Sequence, residues 1–156
     1  KYGRLYTWAA AMDSVGTWST NGKGCGDGKT CSKTYPVRGI CPEGWHLPSN
    51  TEYETLITTV GGSSTAGKML KSTSGWQSNG NGEDSFGFSA LPAGWEDAGY
   101  RYGLRGQMAF FWSTAEVYNL GNGDRAYGME LNYDDVIAKL NFGLKDIGYS
   151  VRCLRD

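Results

Sequence analysis

The residues of this chain best suited to covalent chemistry are Cys41 and His46, which share the stretch CPEGWHLPSNTEYETLI (41–57) with Trp45, Glu43, Glu52 and Glu54. A thiolate nucleophile at neutral pH needs a nearby imidazole to take its proton, and His46 is the only histidine present. Two pairs of carboxylates, Glu96 with Glu130 and Asp97 with Asp134, could serve a glycosidase, although with 16 acidic residues such pairs arise by chance. A third constellation has hard oxygen donors at the close spacing that calcium requires. GNGEDS (80–85) and GMELNYDD (128–135) supply Asp84, Glu130, Asn132, Asp134 and Asp135, although carboxylates on turns are ordinarily just solvated. No GxSxG, HExxH or phosphate-binding loop is present.

The elements around His46 argue for scaffold over catalysis. Ser49 can accept the amide of Glu52 while Glu52 reaches back, a capping box that opens a helix. Behind it Tyr53, Leu56, Ile57 and Val60 form one apolar stripe, and Gly61-Gly62 ends the helix. Trp45, His46 and Leu47 then pin the incoming loop to the core, and Cys41 needs a structural partner.

Four cysteines permit three pairings. Cys25 and Cys31 bracket the short polar segment GDGKT, easily closed into a loop, which leaves Cys41 for Cys153. That second bridge closes a loop of about 110 residues, which the chain-entropy estimate values at about 4–5 kcal/mol. A zinc site competes poorly, since there is no CxxC pair. Two disulfides imply an oxidising compartment, hence a secreted or cell-surface protein.

At 156 residues the chain is expected to be a single domain, 1–156, and a monomer. Charged residues make up 20% and the formal net charge is −1, which argues against nucleic acid and anionic membrane as partners. No apolar run is long enough to span a membrane. The 24 glycines, about twice the usual share, predict a turn-rich fold.

Along the chain, LYTWAAAMDSV (5–15) reads as a first helix capped by Thr7, and Gly16 to Ile40 as a long surface excursion. TAGKML (65–70) adds one or two helical turns. SFGFSAL, MAFFWSTAEV, YGMELNY, VIAKLNF and YSVRCLR read as strands, the last three as an antiparallel meander. Helices first and strands later make an α+β fold.

YGRLYTWAAAM (2–12), YPVRGICPEGWHLPSNTEYETL (35–56), GFSALPAGW (87–95), FWSTAE (111–116) and GYSVRCLRD (148–156) resemble the Fibrobacter succinogenes major paralogous domain family. The resemblance spans essentially the whole chain. It implies a bacterial secreted or surface-anchored protein, often a lipoprotein, with a C-type-lectin-like fold: two N-terminal helices, then a curled antiparallel sheet with long loops, stapled from the loop before the second helix to the final strand. It also implies an N-terminal segment, including a strand, before the position of Lys1. Relatives of that fold include formylglycine-generating enzymes and hypervariable ligand-binding proteins. The cysteine-based motif of the former has no match here. The EPN and WND signatures of calcium-dependent lectins are absent too, Ser113-Thr114 standing in FWSTAE where Asn-Asp would be.

The remaining functional signal is aromatic. Tyr100, Tyr102, Tyr118 and Tyr127 lie in or beside glycine-rich turns with Arg101, Arg105 and Asn119, while Trp95 and Trp112 read as structural and Trp76 as a loop anchor or a ligand contact. Aromatic faces stack on sugar rings, and Tyr with Asn, Ser and Gly is also the mixture with which antibody loops bind proteins. The expectation is a non-catalytic ligand-binding domain, carbohydrate ahead of a surface protein, with Tyr100, Arg101, Tyr102, Tyr118, Asn119, Tyr127 and Trp76 as contacts. No cofactor is expected beyond a possible calcium at Asp84, Glu130, Asn132 and Asp134. The alternative is a structural or adhesive module of a surface assembly.

Overall fold

The computed structural model describes residues 1–118, 120 and 122–156. Its best-determined local element starts where the capping residues require it. Ser49 Oγ accepts the Glu52 amide, the Glu52 carboxylate accepts the Ser49 amide at 2.8 Å, and the helix between them and Thr59 follows. Among the described residues there are three α-helices, α1 (Trp8–Ala11), α2 (Asn50–Thr59) and α3 (Ser63–Leu70), and a single 3-10 turn at Gln77–Asn79. Tyr53, Ile57 and Val60 turn the apolar stripe of α2 inward.

The first helix is a single turn, far shorter than LYTWAAAMDSV predicts. Thr7 does cap it, but Asp13 takes a left-handed conformation (φ 54°) and its carboxylate accepts the amides of Thr17, Trp18 and Ser19. An aspartate that offers three amides a local acceptor favours a turn over another helical turn. Gly39 packs immediately over the end of α1, where a Cβ would stand 2.2 Å from the Ala11 carbonyl oxygen.

Among the described residues seven strands form, the first of them before α2 and the rest after α3: β1 (Trp45–His46), β2 (Trp95–Glu96), β3 (Tyr102–Gly103), β4 (Met108–Glu116), β5 (Arg125–Asn132), β6 (Ala138–Leu144) and β7 (Leu154–Arg155). β4, β5 and β6 form an antiparallel three-stranded sheet in that order, with Phe110 opposite Glu130 and Glu130 opposite Lys139. The meander is therefore one strand earlier than expected. The last segment, YSVRCLR, leaves the sheet after isolated bridges at Tyr149 and Ser150, and its end pairs with β1. SFGFSAL is not a strand either: Asp84 and Ser89 both adopt positive φ, and the Asp84 carboxylate accepts the Ser89 amide and hydroxyl. Alternating Phe86 and Phe88 gave a strand pattern that this closed turn overrides.

One core lies between the sheet and helices α2 and α3, built on Tyr53, Leu70, Trp76, Phe111, Met129 and Leu131. The other packs Trp8, Met12, Leu47 and Trp112 around both disulfides. The bridges are Cys25–Cys31 and Cys41–Cys153, the latter joining the approach to β1 with the approach to β7. Among the described residues no helix is long and apolar enough to cross a membrane.

Candidate functional site

His46 sits at the junction of these pieces. Its Nε2 faces Glu52 Oε1 at 2.8 Å and its Nδ1 faces Asp156 Oδ1 at 2.6 Å. Burial pulls its pKa down, but two carboxylates outweigh that and hold it above the ordinary histidine value. The imidazole thus clasps the start of α2 to the end of the chain, with both ring nitrogens engaged by carboxylates. Cys41 is already bonded to Cys153.

The aromatic residues named from sequence do not gather. Tyr100 is 81% exposed in the turn between β2 and β3, where Asp97 holds Arg101 by an ion pair at 2.6 Å, and Tyr102 lies beneath the Arg105 guanidinium at 3.6 Å. Tyr118 is exposed at the other end of β4, a strand of nine residues, so roughly 26 Å separates the two groups. Tyr127 belongs with the Tyr118 end and packs edge-on to Phe142. Asn119 lies outside the described residues. Trp76 is only 5% exposed and its Nε1 donates to the Ala90 carbonyl and Ser72 Oγ, so it is a core anchor rather than a ligand contact.

Nor do the oxygen donors converge. Asp84 is engaged by Ser89, Glu130 by Lys139 and Asn141, and the Asp135 carboxylate by the Ile137 amide. At the Asn132–Asp135 turn the bound cation is Lys71, whose ammonium donates to both backbone carbonyls at 2.8 Å. Among the described residues no group of three or more His, Cys, Asp and Glu side chains is placed to hold a metal. The donor set does not converge on one ion: Lys71 takes the Asn132 and Asp135 carbonyls, and Asp84 and Glu130 are each engaged by side chains of their own surroundings.

A second ammonium plays the same part more deeply. Lys145, 0% exposed, donates to Glu116 Oε1 and the Gly123 carbonyl at 2.7 Å, to the Lys29 carbonyl at 2.9 Å and to the Gly26 carbonyl at 3.2 Å. Glu116 also accepts from Lys33 at 2.9 Å. Burial pushes the Glu116 carboxyl up, and the two ammonium groups more than reverse this, leaving its pKa lowered. The cluster ties the Cys25–Cys31 loop to the connection between β4 and β5.

What the fold does assemble is a cleft of about 180 Å³ on the sheet, lined by Phe110, Gly128, Glu130, Asn141, Phe142 and Tyr149. Phe110 stacks on Tyr149 at 4.7 Å, and Tyr149 lies against Trp112 at 4.2 Å, a column of three rings. Gly128 lines the cleft between its cross-strand partners Trp112 and Asn141, and a Cβ there would stand 2.7 Å from the Phe111 carbonyl oxygen. Opposite the rings, the Glu130 carboxylate is oriented by Asn141 Nδ2 at 2.8 Å and Lys139 Nζ at 3.1 Å. Sequence reading named Glu130, as a calcium donor, and missed the rest. Phe110, Glu130 and Asn141 come from three different strands, and only the register Phe110–Glu130–Lys139 could have grouped them.

The defining pattern of the Fibrobacter succinogenes major domain matches residues 1–155. The chain belongs to this bacterial family. No curated protein and no solved structure matches it. Within this family member, then, the site is defined by its own geometry: a ring column, an oriented carboxylate and an amide around Gly128.

Proposed function

We propose that this is a non-catalytic carbohydrate-binding domain of C-type-lectin-like type, working outside the cell or on its surface, and that its sugar sits in the cleft on the sheet. The observation that carries this reading is the pairing of an aromatic wall with a fixed carboxylate and amide. The C–H face of a pyranose packs on rings, while its hydroxyls need acceptors and donors held in place beforehand. Glu130 and Asn141 are held by each other and by Lys139, so little side-chain freedom is left to lose on binding. The cleft has room for about one sugar ring, which makes the domain a reader of single residues or chain ends. Two disulfides suit an extracellular setting. The absence of catalysis is part of the proposal, supported by the engagement of His46 and by the bonding of all four cysteines.

The test is a glycan array and an insoluble-polysaccharide pull-down, with calcium and with chelator. Intact protein is compared with Glu130→Gln/Asn141→Ala and with Tyr100→Ala/Tyr102→Ala. Binding that disappears in the first variant and survives in the second and in chelator is expected. Undiminished binding by Glu130→Gln/Asn141→Ala would refute the cleft as the site.

A further inference from the structure

Three clefts adjoin one another away from the sheet cleft. The first, about 230 Å³, is lined by Arg4 and Arg105 with Tyr2, Tyr102 and Glu96. The second, about 270 Å³, shares Tyr2, Gly3 and Arg4 with the first and reaches Arg152. The third, about 320 Å³, runs from Arg152 to Arg155 over Trp45, Leu56, Phe88 and Leu154. Arg4, Arg105, Arg152 and Arg155 thus follow one another along a continuous row, all exposed.

None of these four guanidinium groups is in an ion pair among the described residues, whereas Arg101 and Arg125 are both paired. Two of them lie over aromatic rings, the Arg105 guanidinium carbon 3.6 Å from the Tyr102 ring centre and that of Arg152 4.7 Å from the Phe88 ring centre. A ring under a guanidinium restrains it without using its N–H donors, which can then receive a carboxylate in a two-pronged fashion. Glu52 and Glu96 line these clefts and Asp156 follows Arg155. Glu52 is occupied by His46 and Ser49, and the Asp156 side chain by His46, which leaves Glu96 as the cleft-lining carboxylate free to face the arginines. In a chain of net charge −1, so local a positive surface marks a partner rather than a general solubility device.

We infer that the Arg105–Arg4–Arg152–Arg155 row is a second binding surface, and that it takes an anionic polysaccharide whose repeated carboxylates meet the arginines while its sugar rings lie on Tyr2, Tyr102, Phe88 and Trp45. This rests on the reading of the ligand as a glycan and specifies its class: an acidic polymer, such as a uronate chain, bound along the row, with a single residue or end read by the sheet cleft. A row of adjoining clefts fits several consecutive sugar units. The alternation of rings and cations suits pyranose faces and carboxylates in turn.

The experiment uses the whole domain with polygalacturonate, the same polymer after reduction of its carboxyl groups, dextran sulfate and a single-stranded oligothymidine. Binding is followed by affinity electrophoresis across a salt series and compared with Arg105→Ala/Arg152→Ala. Both arginines are exposed and unpaired, so the variant is expected to fold and to keep binding neutral sugars at the sheet cleft. The expected result is binding of polygalacturonate but not of its reduced form. The double variant should weaken it by about tenfold per arginine, with a shallower dependence on salt. Equal binding by variant and parent overturns the inference, as does tighter binding of oligothymidine, which would mark a general polyanion surface. Tighter binding of dextran sulfate overturns the carboxylate assignment. In each of these cases retained binding of neutral glycans leaves the sheet cleft standing, while loss of every glycan interaction in the parent protein would refute both readings.

Discussion

Replacing Lys145 by methionine tests the deepest polar feature of the fold. The side chain is isosteric enough to fill the space, so the effect isolates the charge. In the parent protein one ammonium satisfies Glu116 and three backbone carbonyls at 2.7–3.2 Å, and it lies 4.4 Å from the Trp8 ring centre. Its loss leaves Glu116, whose side chain is 3% exposed, with Lys33 as its one remaining cation, and strips the carbonyls of Gly26, Lys29 and Gly123 of a donor. Removing one partner of a buried ion pair costs about 3–5 kcal/mol. The continuing Lys33 contact places the expected loss toward the lower end, about 3 kcal/mol, which lowers Tm by roughly 6–12 °C for a domain of this size. The assay is urea unfolding at neutral pH with disulfides intact, repeated through a series of pH values running below 4.5. Because the Glu116 pKa is lowered in the fold, its contribution is present above its unfolded value of 4.5 and is lost as pH falls through the folded value. The gap between parent and variant should therefore narrow on acidification. Should Lys145→Met fail to fold, Lys145→Arg keeps the charge but not the fit and should fold with a smaller loss. A cost below about 1 kcal/mol for Lys145→Met would refute the view that this ammonium holds the Cys25–Cys31 loop in place.

The His46 clasp has an opposite pair of pH dependences. Its raised pKa makes its contribution full below 6.5 and lost as pH rises through the folded value, while the lowered pKa of Glu52 removes that residue's contribution as pH falls below 4.5. His46→Ala should thus cost the most stability between about pH 4.5 and 6.5, about 1.5–3 kcal/mol for a charge-assisted contact, with a matching fall in Tm that shrinks by about pH 9. A Tm difference independent of pH would contradict this. Gly67→Ala would put a Cβ 2.3 Å from the Ile137 carbonyl oxygen and 2.7 Å from that of Val136. Overpacking of backbone on backbone should cost about 1–3 kcal/mol, read as a fall in the urea midpoint, whereas a gain in stability from better helix propensity would show that α3 can move away from β6.

Local chemistry was legible wherever neighbours in sequence are also neighbours in space. The capping box at Ser49 and Glu52 is the clearest case, followed by the Thr7 cap and the closure of Cys25 on Cys31. The scaffold role of His46 was legible for the same reason on one side, since Glu52 is six residues away; its second partner, Asp156, is 110 residues off and left no local mark. Where periodicity met a competing side-chain acceptor, it lost. Asp13 stopped the first helix and Asp84 closed the turn that Phe86 and Phe88 had suggested as a strand.

The candidate site was mostly invisible in the chain because aromatic and carboxylate residues carry no label for the face on which they end. Tyr118 and Tyr102 look equivalent in sequence, yet β4 holds them at opposite ends. Glu130 looked like a calcium donor until the register set it beside Lys139 and Asn141. Sequence alone determined the family, the disulfide pairing, the side-chain caps at Thr7 and Ser49 and the class of residue available for binding, because each of these depends on order and spacing along the chain. Only the tertiary structure decided that the Lys71 ammonium occupies the turn where a calcium was expected, that a second ammonium is buried against Glu116, that a ring column stands beside Gly128, and that four arginines distant in sequence form one row. Those are properties of contacts between segments, which local chain geometry does not encode.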